Sequence, residues 1–390
     1  MSGPLRVLVA PDSFKGSLAA SAVAEALAAG WREVRPQDTV TLLPQADGGE
    51  GTVDAVARCV PGAEPRTSRP VPGPAGRPVT AHWLMLPDGS AVLDSASVCG
   101  LPLLDRREPV AASTDGLGLL LRQVLAAGAT SVTVGLGGSA TTDGGAGALR
   151  GLGARLLDRA GDEIGPGGVE LAQLHRIDVS GLVPPPTGGV RLLTDTRAVL
   201  TGPSGAATVF GPQKGASPHQ VALLDRALAR FADVLAAVLP VEADRAGSGA
   251  AGGTAFGLAA WGGRILPGAH TVGELTGLHG LLPHADVVVT GEGRYDATSG
   301  TGKLVGALLQ RCAGYPAAPL VVAGQIATPP PAAAIALTDL AGSVDAAIAD
   351  PARWLRRAGA LAARMRGGAG DRAVAEDAVA RGAVAEGAPG

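Results

Sequence analysis

Apolar positions along the chain switch between two spacings. Residues 5–10, LRVLVA, form a strand-length apolar run broken only by Arg6, and 18–34, LAASAVAEALAAGWREV, repeat apolar residues at helical spacing, with Ser17 placed to cap them. VTLLP at 40–44 predicts a second strand and TVDAVARCV a second helix, with the loops PDSFKGS and QADGGEG at the junctions. This β-loop-α alternation predicts a parallel sheet whose ligands sit at the C-terminal ends of the strands.

The pattern changes near residue 62, where Pro- and Gly-rich text leads into VTAHWLMLPDGSAVLDSA, a hairpin with its turn at Asp88-Gly89. A helix is predicted at 116–127, then the strand and glycine tract VTVGLGGSATTDGGAGAL, then a second hairpin over GARLLDRAGDEI. RLLTDT at 191–196 reads as a short strand ending in Asp195, 219–238 as a long helix, and 246–261 as a glycine loop entering a helix. The βα style returns with ADVVVTGEG at 285–293, a helix from Lys303, the strand PLVVAGQI and a helix over 351–366. The expected architecture is two α/β domains. Segments 1–62 and 285–366 form a discontinuous Rossmann/flavodoxin-like parallel-sheet domain, and 63–284 form a mixed α/β domain inserted into it. Residues 367–390 lack large apolar groups and are expected to be a disordered tail.

Composition narrows the function. A net charge of −3 gives no basic surplus for nucleic acid or a membrane surface, and 3% aromatics leave no stacking platform for single strands. Three separated cysteines (Cys59, Cys99, Cys312) and six histidines without paired spacing argue against a disulfide framework or a zinc cluster. The first strand begins at once, with no signal-peptide pattern, and no run of 18 apolar residues occurs, so a soluble cytoplasmic protein is expected. Of 32 basic residues only Lys15, Lys214 and Lys303 are lysine, and each lies in a glycine loop: SFKGS, GPQKGA and GTGKL. A compact ammonium is harder to replace by arginine where it must point at an anion in a tight pocket.

Carboxylates sit in the same kind of loop. Asp12, Ser13 and Lys15 follow the first strand; Asp47-Gly48-Gly49-Glu50 follow the second; Glu292 and Arg294 follow a later one; Asp195 ends another. Such groups can hydrogen-bond a polyol, hold a metal or clamp a carboxylate. Gly135-Leu-Gly137-Gly138-Ser139-Ala140 fits a dinucleotide fingerprint, with Asp158 about 20 residues on. Gly144 and Gly145 would then fall in the first turns of its helix, which is costly. Hydroxyls and an acid in SATTD suit a nucleotide phosphate with Mg²⁺ better, so phosphoryl transfer leads over hydride transfer.

The stretches VLVAPDSFKGSLAASAVAEAL, LPQADGGEGTVDAV, VGLGGSATTDGGAGAL, VFGPQKGA and VVTGEGRYDATSGTGK together resemble the glycerate kinase family, in order over about 5–350. The resemblance implies ATP- and Mg²⁺-dependent phosphorylation of D-glycerate, giving 2-phosphoglycerate in preference to the 3-phosphate, by a two-domain α/β fold. It implies Lys15, Asp195 and Asp12 as catalytic residues, with Asp195 the first choice of base and Asp12 the second. Substrate contacts fall to Ser13, Asp47, Gly48, Gly49, Glu50, Glu292 and Arg294. Nucleotide contacts fall to Gly137, Gly138, Ser139, Thr141, Asp143, Gly144, Gly145, Lys214 and Lys303. No metal ligands are assigned, and a monomer and a homodimer are both compatible. This chain departs from the family at Asp195-Thr-Arg197, where a second acid and an Asn-Pro pair are usual, and at Thr142, where Asn is usual. A kinase for another small hydroxy acid and a degenerate ligand-binding relative are the alternatives.

Overall fold

The computed structural model describes residues 3–300 and 303–366. The tail expected to be disordered therefore lies outside the described residues. The chain divides into two compact units. One takes the chain up to Asp47, Asp54–Pro61 and everything from Val272 on; the other takes Gly48–Val53 and Gly62–Thr271.

The first unit is built on a five-stranded sheet in the order Ala333–Ala336, Ala318–Ile326, Val287–Tyr295, Arg6–Val9, Thr39–Leu42. Every neighbouring pair is parallel. The parallel sheet is as expected, and ranked by position in the chain its order is the flavodoxin-like one of the two alternatives, with the switch point between Arg6–Val9 and Val287–Tyr295. The central strands are apolar on both faces because both are covered. Val7, Val9, Val287 and Val289 pack with Val23, Leu27, Trp31 and Leu355, while Leu8 and Val288 pack on the other side with Leu282, Leu308 and Cys312. The helices Ala20–Val34 and Pro351–Met365 cross closely at glycines. A Cβ on Gly30 would strike the Arg356 carbonyl, and one on Gly359 would strike that of Leu27.

Two local expectations are corrected in this unit. The first helix begins at Ala20 after Ala19, with no side-chain cap. Ser17 instead belongs to a tight turn in which Phe14 and Leu18 bridge and Gly16 takes φ +78°. The segment Thr290–Tyr295, expected as a loop, continues its strand, and Glu292 and Arg294 lie in register with Ala323 and Gln325. The strand outruns its neighbour Arg6–Val9 and so carries both side chains past the switch point.

The second unit contains a six-stranded sheet: Gly263–Leu266, Val190–Leu193, Ser131–Gly135, Ser90–Asp94, His82–Met85, Glu64–Thr67. The first four run parallel, and the last two pairings, of His82–Met85 with Ser90–Asp94 and with Glu64–Thr67, are antiparallel. The hairpin turns at Asp88-Gly89, where Leu86 N–H donates to the Ser90 carbonyl and Gly89 has φ +81°. The helix Asp115–Ala126 matches its prediction, and Pro218–Ala236 opens with Ser217 and Gln220 in a capping box. In Ala250–Ala260, residues Ala251, Gly252 and Gly253 are left-handed, so the regular helix starts only after them. No described helix is long and apolar enough to cross a membrane.

Candidate active site

At the switch point of the first unit the chain leaves Arg6–Val9 and turns at once. Asp12 N–H donates to the Gly291 carbonyl at 2.8 Å, pinning this loop to the long strand beside it. The Phe14–Leu18 turn then holds Lys15 at its tip. A cavity of about 460 Å³ opens here, lined by Asp12, Ser13, Lys15, Asp47, Glu292, Arg294 and Lys303 among others. The structure thus brings together seven of the residues singled out from sequence, drawn from three strand ends and one helix N-terminus. It adds Asp296, Gln325 and an apolar wall that sequence reasoning missed. Gln325 follows the strand-end rule that found the others, but its GQI context carried no charge to flag it.

Electrostatics in the cavity are dominated by one buried acid. Burial, then the adjacent Asp47 carboxylate, push the Asp12 carboxyl up to about 7, against the pull of Lys15. Lys15 donates to Asp47 Oδ2 at 3.1 Å, and Asp47 foremost holds its ammonium above the ordinary value. Burial also raises Glu292, with Ser299 and Lys303 opposing, and its Oε1 is buried without a hydrogen-bond partner. Lys303 donates to Thr298 Oγ1 at 2.7 Å, and Arg294 lies 3.8 Å from Asp296. A carboxyl titrating near neutrality beside a fixed cation can accept a proton from a hydroxyl.

The other sequence-predicted residues belong to the second unit. Gly48 takes φ +80°, and a Cβ there would lie 2.7 Å from Leu193 Cβ; Leu136 N–H donates to its carbonyl at 2.8 Å. Gly49 is buried and Glu50 exposed, its Oε2 3.4 Å from where a Cβ on Gly138 would stand. Of the glycine tract only Gly137 and Gly138 reach the surface. Asp143 is buried; its carboxylate accepts from Thr114 N and Oγ1 at 2.8 Å, Gly145 N at 3.1 Å and Gly147 N at 3.3 Å. Gly144 and Gly145 (φ +68° and +80°) lie against Phe231 and Thr254, where a Cβ would come within 2.7 and 3.0 Å. Ser139 and Thr141 are buried over Lys214, whose Nζ donates to Ser139 Oγ at 3.1 Å and the Thr141 carbonyl at 2.5 Å. Burial, opposed by Asp143, brings the Lys214 ammonium down to about 7. Most of the tract is thus braced from within. Asp195 accepts from Gly268 N at 2.8 Å and Ala269 N at 3.2 Å, at the start of the helix Gly268–Leu275.

This arrangement has known counterparts. The profile of the glycerate kinase family matches residues 7–366. The chain is 42% identical to the glycerate 2-kinase of Escherichia coli K12, over 77% of this chain and 80% of that protein. It is 41% identical to the glycerate kinase of Bacillus subtilis 168, over 83% and 85%. A crystal structure from Salmonella typhimurium LT2, described as a glycerate kinase 2, superposes with a TM-score of 0.76 at 34% identity, covering 93% of this chain and 98% of that one. The chain belongs to the glycerate kinase family.

Proposed function

We propose that this protein transfers the γ-phosphoryl group of Mg·ATP to the 2-hydroxyl of D-glycerate, giving 2-phosphoglycerate. The observation that carries the reading is Asp12, buried at the switch point with a carboxyl pushed to about 7 and Lys15 nearby. Asp12 takes the proton from the attacking hydroxyl, and Lys15 faces the negative charge that develops. Arg294 clamps the glycerate carboxylate, with Ser13 and Gln325 as hydrogen-bond partners. We place the base at Asp12 in preference to Asp195, because both Asp195 oxygens already accept helix N–H groups.

Magnesium is commonly held by one or two carboxylates with phosphate oxygens completing its shell. Among the described residues no three His, Cys, Asp or Glu side chains gather as a metal cage. The unpartnered Glu292 Oε1, with Asp47 on the same cavity, fits the smaller requirement. When bound, the ion would neutralise charge on the transferring phosphoryl group. We take the two compact units as the two domains of a cytoplasmic enzyme.

The test is ADP release from Mg·ATP by purified protein over D-glycerate, L-glycerate and other small hydroxy acids, with NMR identification of the product. Turnover on D-glycerate to the 2-phosphate is the expected result. Turnover confined to another acid would replace the substrate and point to Arg197, which stands where the family usually has an acid. Binding of ATP with no turnover on any acid would overturn the reading.

A further inference from the structure

The cavity of the first unit is mixed in chemistry. Its lining carries four carboxylates (Asp12, Asp47, Glu292, Asp296) and three cations (Lys15, Arg294, Lys303). The lining also includes an apolar set, Leu337, Val344, Ala347, Ile348 and Pro351. Val344 and Ile348 are one helical turn apart on the short helix Val344–Ala349, and both stand out into solvent at 46% and 61%. Ile348 is the most exposed large apolar side chain among the described residues. Val344 and Ile348 together make an exposed apolar patch on the lining of a charged cavity, the kind of surface a ligand covers.

Glycerate does not explain this wall. It is a three-carbon acid with a polar group on every carbon, and it has no apolar face to offer. Cavities of about 300–1,000 Å³ hold ligands of drug or cofactor size, and this one measures about 460 Å³. A ligand that matches both sets has a flat heteroaromatic end and a polyanionic end. The anionic end would meet Lys15, Lys303 and a cation held by the carboxylates.

We propose that the Leu337–Ile348 wall seats the purine ring of the nucleotide, with the phosphates directed to Lys15 and Lys303. This rests on the kinase reading and deepens it. It moves the nucleotide from the glycine tract, whose backbone is largely buried, to the parallel-sheet unit. Gly137 and Gly138 are left without a nucleotide role.

The test titrates Mg·ADP and Mg·pyrophosphate separately into full-length protein by calorimetry, for wild type, Ile348→Asn and Ile348→Leu. Asparagine adds no charge and the site is exposed, so the fold is kept; thermal midpoints verify this. Expected is a loss of about tenfold in Mg·ADP affinity for Ile348→Asn, corresponding to one good apolar contact. Ile348→Leu should restore it, and Mg·pyrophosphate affinity and the KM for D-glycerate should not move. Unchanged Mg·ADP affinity in Ile348→Asn overturns the proposal while leaving the kinase reading intact. The same holds if that variant changes only the sedimentation behaviour, which would make the wall a contact between copies. Absence of Mg·ADP binding in wild type, with no turnover, overturns both.

Discussion

Lys15 and Lys214 occupy similar glycine loops in the sequence, yet folding puts them in opposite situations. Lys15 stands exposed at a turn tip against Asp47, whereas Lys214 is closed in beneath the Ser139–Thr141 backbone. The scarcity of lysine flagged both positions; only packing separates them, and nothing local in GPQKGA signals burial. Lys15→Arg should lower kcat/KM at least tenfold, since a planar fork cannot stand in for a compact ammonium; an unchanged value removes Lys15 from the site. Asp195 offers a sharper separation. If it only caps the helix Gly268–Leu275, Asp195→Asn keeps kcat within a few-fold, and Asp195→Ala costs about 1 kcal/mol in urea unfolding. If it is the base, both variants lose activity by orders of magnitude together. Asp12→Asn should abolish turnover and, in any residual activity, remove the acid limb of the kcat/KM profile.

Elements were legible where their own residues decide them. The β-branched runs of the central strands announce a buried sheet, and the apolar spacing of 219–238 announces a long helix. The strand Ala333–Ala336 was not legible, because an alanine run has no strand preference; pairing with Leu320–Ala323 makes it one. The first turn of the chain misled for a related reason. Ser17 has the chemistry of a cap, but the Phe14–Leu18 bridge uses it otherwise. Close helix packing is equally invisible in a single sequence. Gly359→Ala inserts a methyl group onto the Leu27 carbonyl, so the Ala20–Val34 and Pro351–Met365 helices must separate. The expected cost is about 1–3 kcal/mol or more, measured by chemical unfolding. A neutral result would show that the crossing yields.

At the scale of the whole molecule, two buried groups set opposing pH trends. Asp12 is protonated in the fold, but not in the unfolded chain, between 3.8 and about 7. The native state binds more protons there, so stability falls as pH rises through that window and then levels. Lys214 is neutral in the fold, but charged in the unfolded chain, from about 7 to 10.5, so its contribution rises with pH over that range. The thermal midpoint of Asp12→Asn relative to wild type should therefore climb from pH 4 to 7. That of Lys214→Met relative to wild type should shrink from pH 7 to 10. Flat differences would mean that neither group is held as described. A parallel sheet with its ligands at the strand ends, and the polar residues of the cavity, could be read from the sequence. The apolar set could not, because Val344 and Ile348 look like ordinary core residues until the fold leaves them outside.

The pairing of Arg6–Val9 with Val287–Tyr295 joins residues 280 positions apart at Arg6 and Asp286. A ribosome making this chain emits the strand Arg6–Val9 about 280 residues before its central partner. In the interval the whole of Gly62–Thr271 emerges as one uninterrupted stretch with its own sheet and core. The second unit can thus complete its fold during synthesis, while the apolar strand Arg6–Val9 waits unpaired on one side. A nascent chain from which Thr271 but not Val287 has cleared the ribosome should resist protease over the second unit and be cut in the first. The loop that carries Asp12 and Lys15 is therefore made long before the strand that fixes its place.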